Sequence, residues 1–222
     1  MMRSDPAVLI VARAPVPGAA KTRLAAHVGD EAAASLAGAA LLDTIDAAGA
    51  TGWPVCVAMT GSLSESPMGA EVEDSLAPHR LISQRGKGFA ARLAAAHADA
   101  DYGAGVVQIG MDTPQLHPEL LHESGRALAD HEAVLGPAHD GGWWLLALRH
   151  AAHAECLHEV PMSTERTGEL TRSALRARGA GVVDGAALTD VDTWADALEV
   201  ATIAPDTRFG RAVARLRGDG LG

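Results

Sequence analysis

Ala7-Val8-Leu9-Ile10-Val11 is the stretch on which the fold turns. Five apolar residues in a row read as a short strand with no polar face. Because side chains alternate across a strand, both faces of this one must be covered. That is the mark of a central strand in a parallel sheet packed between helices.

Outward from this strand the same alternation repeats. A loop rich in Pro and Gly follows, then an Ala-rich helix from about Asp30 to Ala48, with Asp30 as N-cap and an apolar face of Leu41, Leu42 and Ile45. Further strands are predicted over Val55–Met59, Arg80–Ser83, Val106–Gly110, Ala133–Gly136 and Trp143–Leu148. Between and after them come helices over Phe89–Ala100, from Pro118 to about Asp130, and over Ser163–Arg178 with Ser163 as N-cap. Thr193-x-x-Asp196 is a capping box that opens one more. Strands separated by helices give βαβ units, and so an α/β fold with a mostly parallel mixed sheet and helices on both faces. Ligands in such sheets sit beyond the carboxyl ends of the strands. The segments after Val11, Ser83 and Gly110 are thereby singled out.

Length and composition narrow the class. The 222 residues, 48% of them hydrophobic, suffice for one well-buried core, and the chain reads as a single domain over 1–222 with a frayed tail from 218. A net charge of -10 lacks the basic stripe that a nucleic-acid partner demands, while a nucleotide needs only a few local cations. Cys56 and Cys156 form no CxxC, and two buried free thiols are a simpler reading than one disulfide. With no signal-peptide pattern and no run approaching a membrane span, the expected compartment is the cytoplasm. Only Lys21 and Lys87 are lysines among the 18 Lys+Arg, and both sit in glycine-containing loops.

Five segments carry the chemistry. Ala12 to Leu24 (ARAPVPGAAKTRL) follows the first strand directly. Backbone N–H groups in such a turn, around Gly18, can point at an anion, and Lys21 and Arg23 add two cations suited to a di- or triphosphate. The Walker A pattern fails because Ala20 stands where its second glycine belongs. The plain alternative is a solvated basic loop; on either reading Lys21, as an exposed loop lysine, is expected to carry little packing. In Gln84 to Arg92 (QRGKGFAAR), the Gln84 amide can pair with a base edge and Arg92 can project back from the first helical turn; an ordinary glycine turn is the alternative. Gly110 to Pro114 (GMDTP) places Asp112 at a strand end, where a carboxylate suits Mg²⁺ or Mn²⁺, or simply shapes a turn. Gly136 to Trp144 (GPAHDGGWW) offers Asp140, two glycines that admit close approach, and Trp143 or Trp144 for stacking or for the core. Asp190 to Thr193 (DVDT) reads first as helix capping.

As a set, ARAPVPGAAKTRL, QRGKGFAARL, GMDTP, GPAHDGGWW, PMSTERT and DVDTWAD cover the chain from about Ala7 to Leu198. In this order they resemble a bacterial glycosyltransferase-A-like family long labelled a domain of unknown function, whose members are often called rSAM/selenodomain-associated transferases. Phospholactate and molybdenum cofactor guanylyltransferases are nearby relatives. The resemblance implies a Rossmann-like nucleotide-diphospho-sugar transferase fold. It implies that the loop from Ala12 and Arg13 through Gly18 to Arg23 wraps a nucleotide, with Lys21 and Arg23 on its phosphates and Gln84 and Arg92 beside it. It implies a metal on Asp112, with Asp192 as candidate second ligand, and acceptor or sugar contacts from Asp140, Gly141, Gly142, Trp143, Ser163 and Thr164. Met111 departs from the family's usual Ser, Gly88-Phe89-Ala90 from its Asp-Leu-Gly, and Met162-Ser163 from its Trp-Ser.

The sequence therefore predicts a metal-dependent transferase that uses a nucleotide or nucleotide sugar and a small acceptor, with Lys21 and Asp112 as the catalytic pair. Glycosyl transfer from a nucleoside-diphosphate sugar ranks first. Nucleotidyl transfer from an NTP to a phosphorylated acceptor, with pyrophosphate leaving, ranks next. A nucleotide-binding regulator without turnover is the third reading.

Overall fold

The computed structural model describes residues 5–19 and 21–218, so Ala20 and the tail beyond 218 lie outside the described residues. Seven strands form one sheet: β1 (Ala7–Arg13), β2 (Val55–Thr60), β3 (Arg80–Ser83), β4 (Val106–Ile109), β5 (Ala133–Pro137), β6 (Trp143–Leu148) and β7 (Val182–Asp184). Their spatial order is β3-β2-β1-β4-β6-β5-β7. All neighbours are parallel except β6, which runs antiparallel to both β4 and β5.

β1 behaves as its sequence demands. Val8, Ile10 and Ala12 enter the core on one face of the sheet, Leu9 and Val11 the core on the other. On the first face, α2 (Asp30–Gly49), α3 (Gly69–Leu76) and α5 (Pro118–Ala127) contribute Leu41, Ile45, Val72 and Leu121. On the second, α4 (Phe89–Ala100) and α6 (Thr167–Ala177) contribute Leu93, Ala96 and Leu175. A third cluster joins α1 (Thr22–Val28), the outer side of α2, α7 (Trp194–Ile203) and α8 (Arg208–Gly218) through Leu24, Leu36, Trp194 and Phe209. That double duty explains why α2 is built so largely of alanine: it is packed on both sides.

The chain runs outward from β1 to β3 and then crosses back to place β4 on the other flank of β1. The carboxyl ends of β1 and β4 thus meet at the topological switch point, where open α/β sheets bind ligands.

Several boundaries differ from the sequence reading. Asp30 is the first residue of α2, and Gly29 takes the N-cap position without any side-chain bond. The helix expected from Ser163 begins at Thr167, because Ser163 is held left-handed (φ 61°) and the 161–166 segment forms an exposed turn. The Thr193 capping box is present with both of its hydrogen bonds. Helix α1 occupies sequence read as loop, and α3, α8 and β7 are additions. Both cysteines are buried and free.

Candidate active site

Three loops meet at the switch point. The loop after β1 carries Lys21, the turn after β4 carries Asp112, and the extended segment before α7 carries Asp190 and Asp192. A backbone bond ties the last two together, with the Val191 N–H donating to the Asp112 carbonyl at 2.9 Å.

At their centre is one cation between two carboxylates. Lys21 Nζ lies 2.8 Å from Asp112 Oδ2 and 3.0 Å from Asp192 Oδ1. Lys21 is only 11% exposed, against 33% for Asp112 and 43% for Asp192. It is therefore not a solvated loop lysine, which corrects the expectation that it carries little packing. Burial opposes its charge, but the two carboxylates outweigh burial and raise its pKa. The other Asp112 oxygen, Oδ1, is buried without a hydrogen-bond partner.

Two clefts flank this triad. One, about 560 Å³, is lined by Arg13, Lys21, Thr22 and Arg23, and shares Met111, Asp112, Ser163 and Asp192 with its neighbour. The neighbour, about 260 Å³, contains Asp140 and Asp190 beside Phe89, Trp143 and Met162, with Gln108 at its inner end. Among the described residues, its lining holds four carboxylates and no Lys, Arg or His. Asp190 is pushed up to about 7, first by burial and then by the negative charge of Asp112; Lys21 pulls the other way. A third groove, about 670 Å³, contains Arg23, His139, Gly141 and Thr164.

The residues singled out from the sequence fall into three groups. Arg13, Lys21 and Arg23 converge on the cationic cleft. Asp140, Gly142, Trp143, Ser163 and Thr164 line the acidic one, with Asp112 and Asp192 between them. Gly141 serves the wall: at φ +88°, an added Cβ would fall 2.0 Å from the Glu165 carbonyl. Asp140 Oδ1 accepts from the Gly142 N–H at 2.8 Å and fixes the turn. Trp144 is core, 2% exposed, while its neighbour Trp143 is half-buried and donates to Thr171 Oγ1 at 3.2 Å.

Three expectations are corrected. Gln84 spends both amide hydrogens on the carbonyls of Ala12 (2.8 Å) and Ala58 (2.9 Å), so it straps the ends of β1 and β2 instead of offering donors to a base edge. Arg92 stacks over the Phe89 ring at 5.6 Å and lines neither cleft. The N–H groups of Arg13, Ala14, Val16 and Ala19 are bonded within the protein, and Gly18 is an exposed turn residue, so these four donors do not point at an anion and the side-chain charge of Arg13, Lys21 and Arg23 is what the loop presents to the cleft. The Arg13 N–H donates to Met111 Sδ at 3.3 Å, which gives the family-departing methionine a role in holding the β1 and β4 loops together.

Asp190 is the carboxylate of the acidic cleft whose segment reads first as helix capping in the sequence. Its signal was there: carboxylates at i and i+2 of an extended segment project to the same side. Phe89, Gln108 and Met162 also line the acidic cleft, and only the packing of separate elements brings them there.

Comparison with known proteins places this geometry. Residues 42–164 match the model of a family described as "Uncharacterized protein conserved in bacteria (DUF2064)". The chain belongs to this family. It is 33% identical, over 193 residues (82% of this chain and 84% of the relative), to a 3-phospho-D-glycerate guanylyltransferase of Phenylobacterium zucineum strain HLK1. Its fold matches that of a candidate nucleotide-diphospho-sugar transferase from Desulfovibrio desulfuricans G20, with a TM-score of 0.85 and 24% identity, covering 98% of this chain and 96% of that one. Rv0371c of Mycobacterium tuberculosis H37Rv, crystallised with manganese, shares the fold at a TM-score of 0.53 and 19% identity, over 90% of this chain and 98% of that one. The Rossmann-like transferase fold and the transferase class expected from the motifs agree with these relatives. Among the described residues no helix is long and apolar enough to cross a membrane.

Proposed function

We propose that this chain is a nucleotidyltransferase. A phosphate oxygen of a small phosphorylated acceptor attacks the α-phosphorus of an NTP, the bond from that phosphorus to the bridging β-oxygen breaks, and pyrophosphate leaves. One observation carries the reading: Arg13, Lys21 and Arg23 line a single cleft that abuts the carboxylates at the switch point. Cations beside the β- and γ-phosphates are what a departing pyrophosphate needs. The sequence alone ranks glycosyl transfer first; the cationic cleft and the guanylyltransferase relative reverse that order.

The carboxylates suit a divalent cation. Asp112 and Asp192 already converge on one positive nitrogen, and Asp112 Oδ1 is buried without a partner. Among the described residues no cluster of three or more His, Cys, Asp or Glu forms a metal site. A two-carboxylate site fits Mg²⁺ or Mn²⁺, which keep waters and substrate phosphates as their remaining ligands. When bound there, the ion neutralises charge on the reacting phosphates. The chain's own groups do the rest. Arg13 and Arg23 orient the polyphosphate, Trp143 and Phe89 wall the acceptor, and Asp190 in its neutral form can donate a hydrogen bond to an acceptor oxygen.

The test is a product assay with both donor types. NTPs and nucleotide sugars are each incubated with 3-phospho-D-glycerate and related phosphorylated acceptors, with pyrophosphate and nucleoside diphosphate measured separately. Pyrophosphate release from one NTP, dependent on acceptor, is the expected result. Nucleoside diphosphate release from a nucleotide sugar, with inert NTPs, would establish glycosyl transfer instead.

A further inference from the structure

Lys21 is held in an unusual way for a residue that only greets phosphate. Its backbone is left-handed (φ 52°, ψ 47°), at the N-cap position of α1, yet it makes no side-chain capping bond there. For an L residue other than Asn or Asp this conformation is disfavoured, because Cβ crowds the following carbonyl oxygen. The outcome is a side chain turned inward, with its ammonium on Asp112 Oδ2 and Asp192 Oδ1. These are the carboxylates that a divalent cation would use. The ammonium and a metal ion need the same lone pairs, and two cations at one such point repel each other in a half-buried setting.

We propose that Lys21 is a built-in counter-ion that makes divalent-cation binding conditional on nucleotide phosphates. This inference rests on the nucleotidyl-transfer reading in one respect: it takes the polyphosphate to enter the cleft lined by Arg13, Lys21 and Arg23. Without nucleotide, Lys21 offsets one of the two negative charges of Asp112 and Asp192, occupies an oxygen of each, and keeps the metal position closed. A polyphosphate in the cationic cleft gives the ammonium a second anion, and its move releases both carboxylates to a cation arriving with the nucleotide. The arrangement also removes an electrostatic obstacle. An incoming polyphosphate first meets a triad carrying one net negative charge instead of the two of bare carboxylates.

The test reads metal binding, not turnover. Nucleotide-free wild type, Lys21→Met and Lys21→Gln are titrated with Mn²⁺, and free Mn²⁺ is followed by electron paramagnetic resonance. Loss of a charge-assisted contact worth about 1.5–3 kcal/mol predicts Mn²⁺ affinity about ten- to hundredfold tighter in both variants than in wild type. Adding Asp112→Asn to either variant should abolish the gain. The variants should melt lower than wild type in chelator and recover with Mn²⁺, while wild type hardly responds. Equal or weaker Mn²⁺ binding by the Lys21 variants overturns the proposal, as does a gain that survives Asp112→Asn. Failure of the wider reading looks different: Mn²⁺ binding follows the expected pattern, yet no NTP releases pyrophosphate in the product assay.

Discussion

The two clefts on either side of Lys21 share Asp112 and Asp192 but differ in the charge of their remaining walls. One is walled by Arg13 and Arg23, the other by Asp140, Asp190 and aromatic rings. In the proposed reaction the donor brings three or four negative charges that must be held while one bond breaks. The acceptor, itself phosphorylated, brings about two or three and must be oriented. Segregating cations from carboxylates draws the more highly charged polyphosphate to the cationic cleft, and leaves the acceptor's own negative charge to be balanced at the seam, where the metal and Lys21 would lie. The seam between the clefts is the Asp112–Lys21–Asp192 triad, so substitutions there should cost most and those at the rims least.

The largest effect is expected at Asp112. Asp112→Asn keeps the shape of the side chain but removes half the charge of the candidate metal site. Turnover with the best NTP should fall by about 10²–10³, the scale seen when one preorganised electrostatic partner of a transition state is lost. Thermal-shift titration with nucleotide should lose its Mg²⁺ dependence. If the variant keeps a wild-type Mg²⁺ response, Asp112 is only a turn residue and the seam has no metal function.

Lys21→Ala should rank next. Loss of a charge-assisted contact to phosphate is worth about 1.5–3 kcal/mol, so nucleotide Kd should rise about ten- to hundredfold. The structure adds a cost to the fold. Asp112 and Asp192 lose a buried partner, and melting should report a loss of about 1–3 kcal/mol. An unchanged Kd together with a lowered melting temperature would make Lys21 purely structural.

How much of this was legible beforehand depends on whether a residue's role is local. β1 was readable because its five apolar residues admit one placement, and α4 and β6 keep their predicted bounds because periodicity and flanking turns agree. Asp112, Lys21 and Arg23 stand out through their motifs, and the structure brings the three to one cleft. Gln84 was misread because its amide chemistry fits a base edge as well as two carbonyls, and only the juxtaposition of Ala12 with Ala58 decides. α1 was hidden behind a Pro- and Gly-rich lead, and α8 depends on a distant cap: Asp43 accepts from the N–H groups of Arg208 and Phe209 at 3.0 and 2.9 Å. The inward turn of Lys21 is a backbone property that no spacing announces.

A third prediction concerns pH and tests the acidic cleft alone. Burial, with Asp112, Asp140 and Asp192 near it and Lys21 opposing, raises Asp190 from 3.8 to about 7. The folded chain therefore holds this proton where the unfolded chain has released it. Below about 4 both states are protonated and the group contributes nothing; between about 4 and 7 stability falls as pH rises; above that window the full penalty remains. Asp190→Asn removes the penalty. Its melting temperature should match wild type near pH 4 and exceed it progressively toward pH 7. Parallel profiles across that window would show that Asp190 is ionised throughout.

The smallest effect is expected at Arg23, and it sharpens the comparison because Arg23 belongs to both the cationic cleft and the third groove. Arg23 is exposed, whereas Lys21 is 11% exposed and carries two short ion pairs. A solvated cation acts on phosphate through water and mobile ions, and exposed pairs of this kind contribute about 0.2–1 kcal/mol. Arg23→Ala should therefore raise nucleotide Kd by no more than about fivefold. The deficit should shrink with added salt, because at about 1 M the screening length is only about 3 Å. The Lys21→Ala deficit should persist under the same salt, since its partners are screened far less. Measuring Kd for both variants at low and high salt separates steering at the rim from holding at the seam. Equal deficits with equal salt sensitivity would mean that the two cations act alike, and that the Asp112–Lys21–Asp192 triad is no more than an extension of the basic rim.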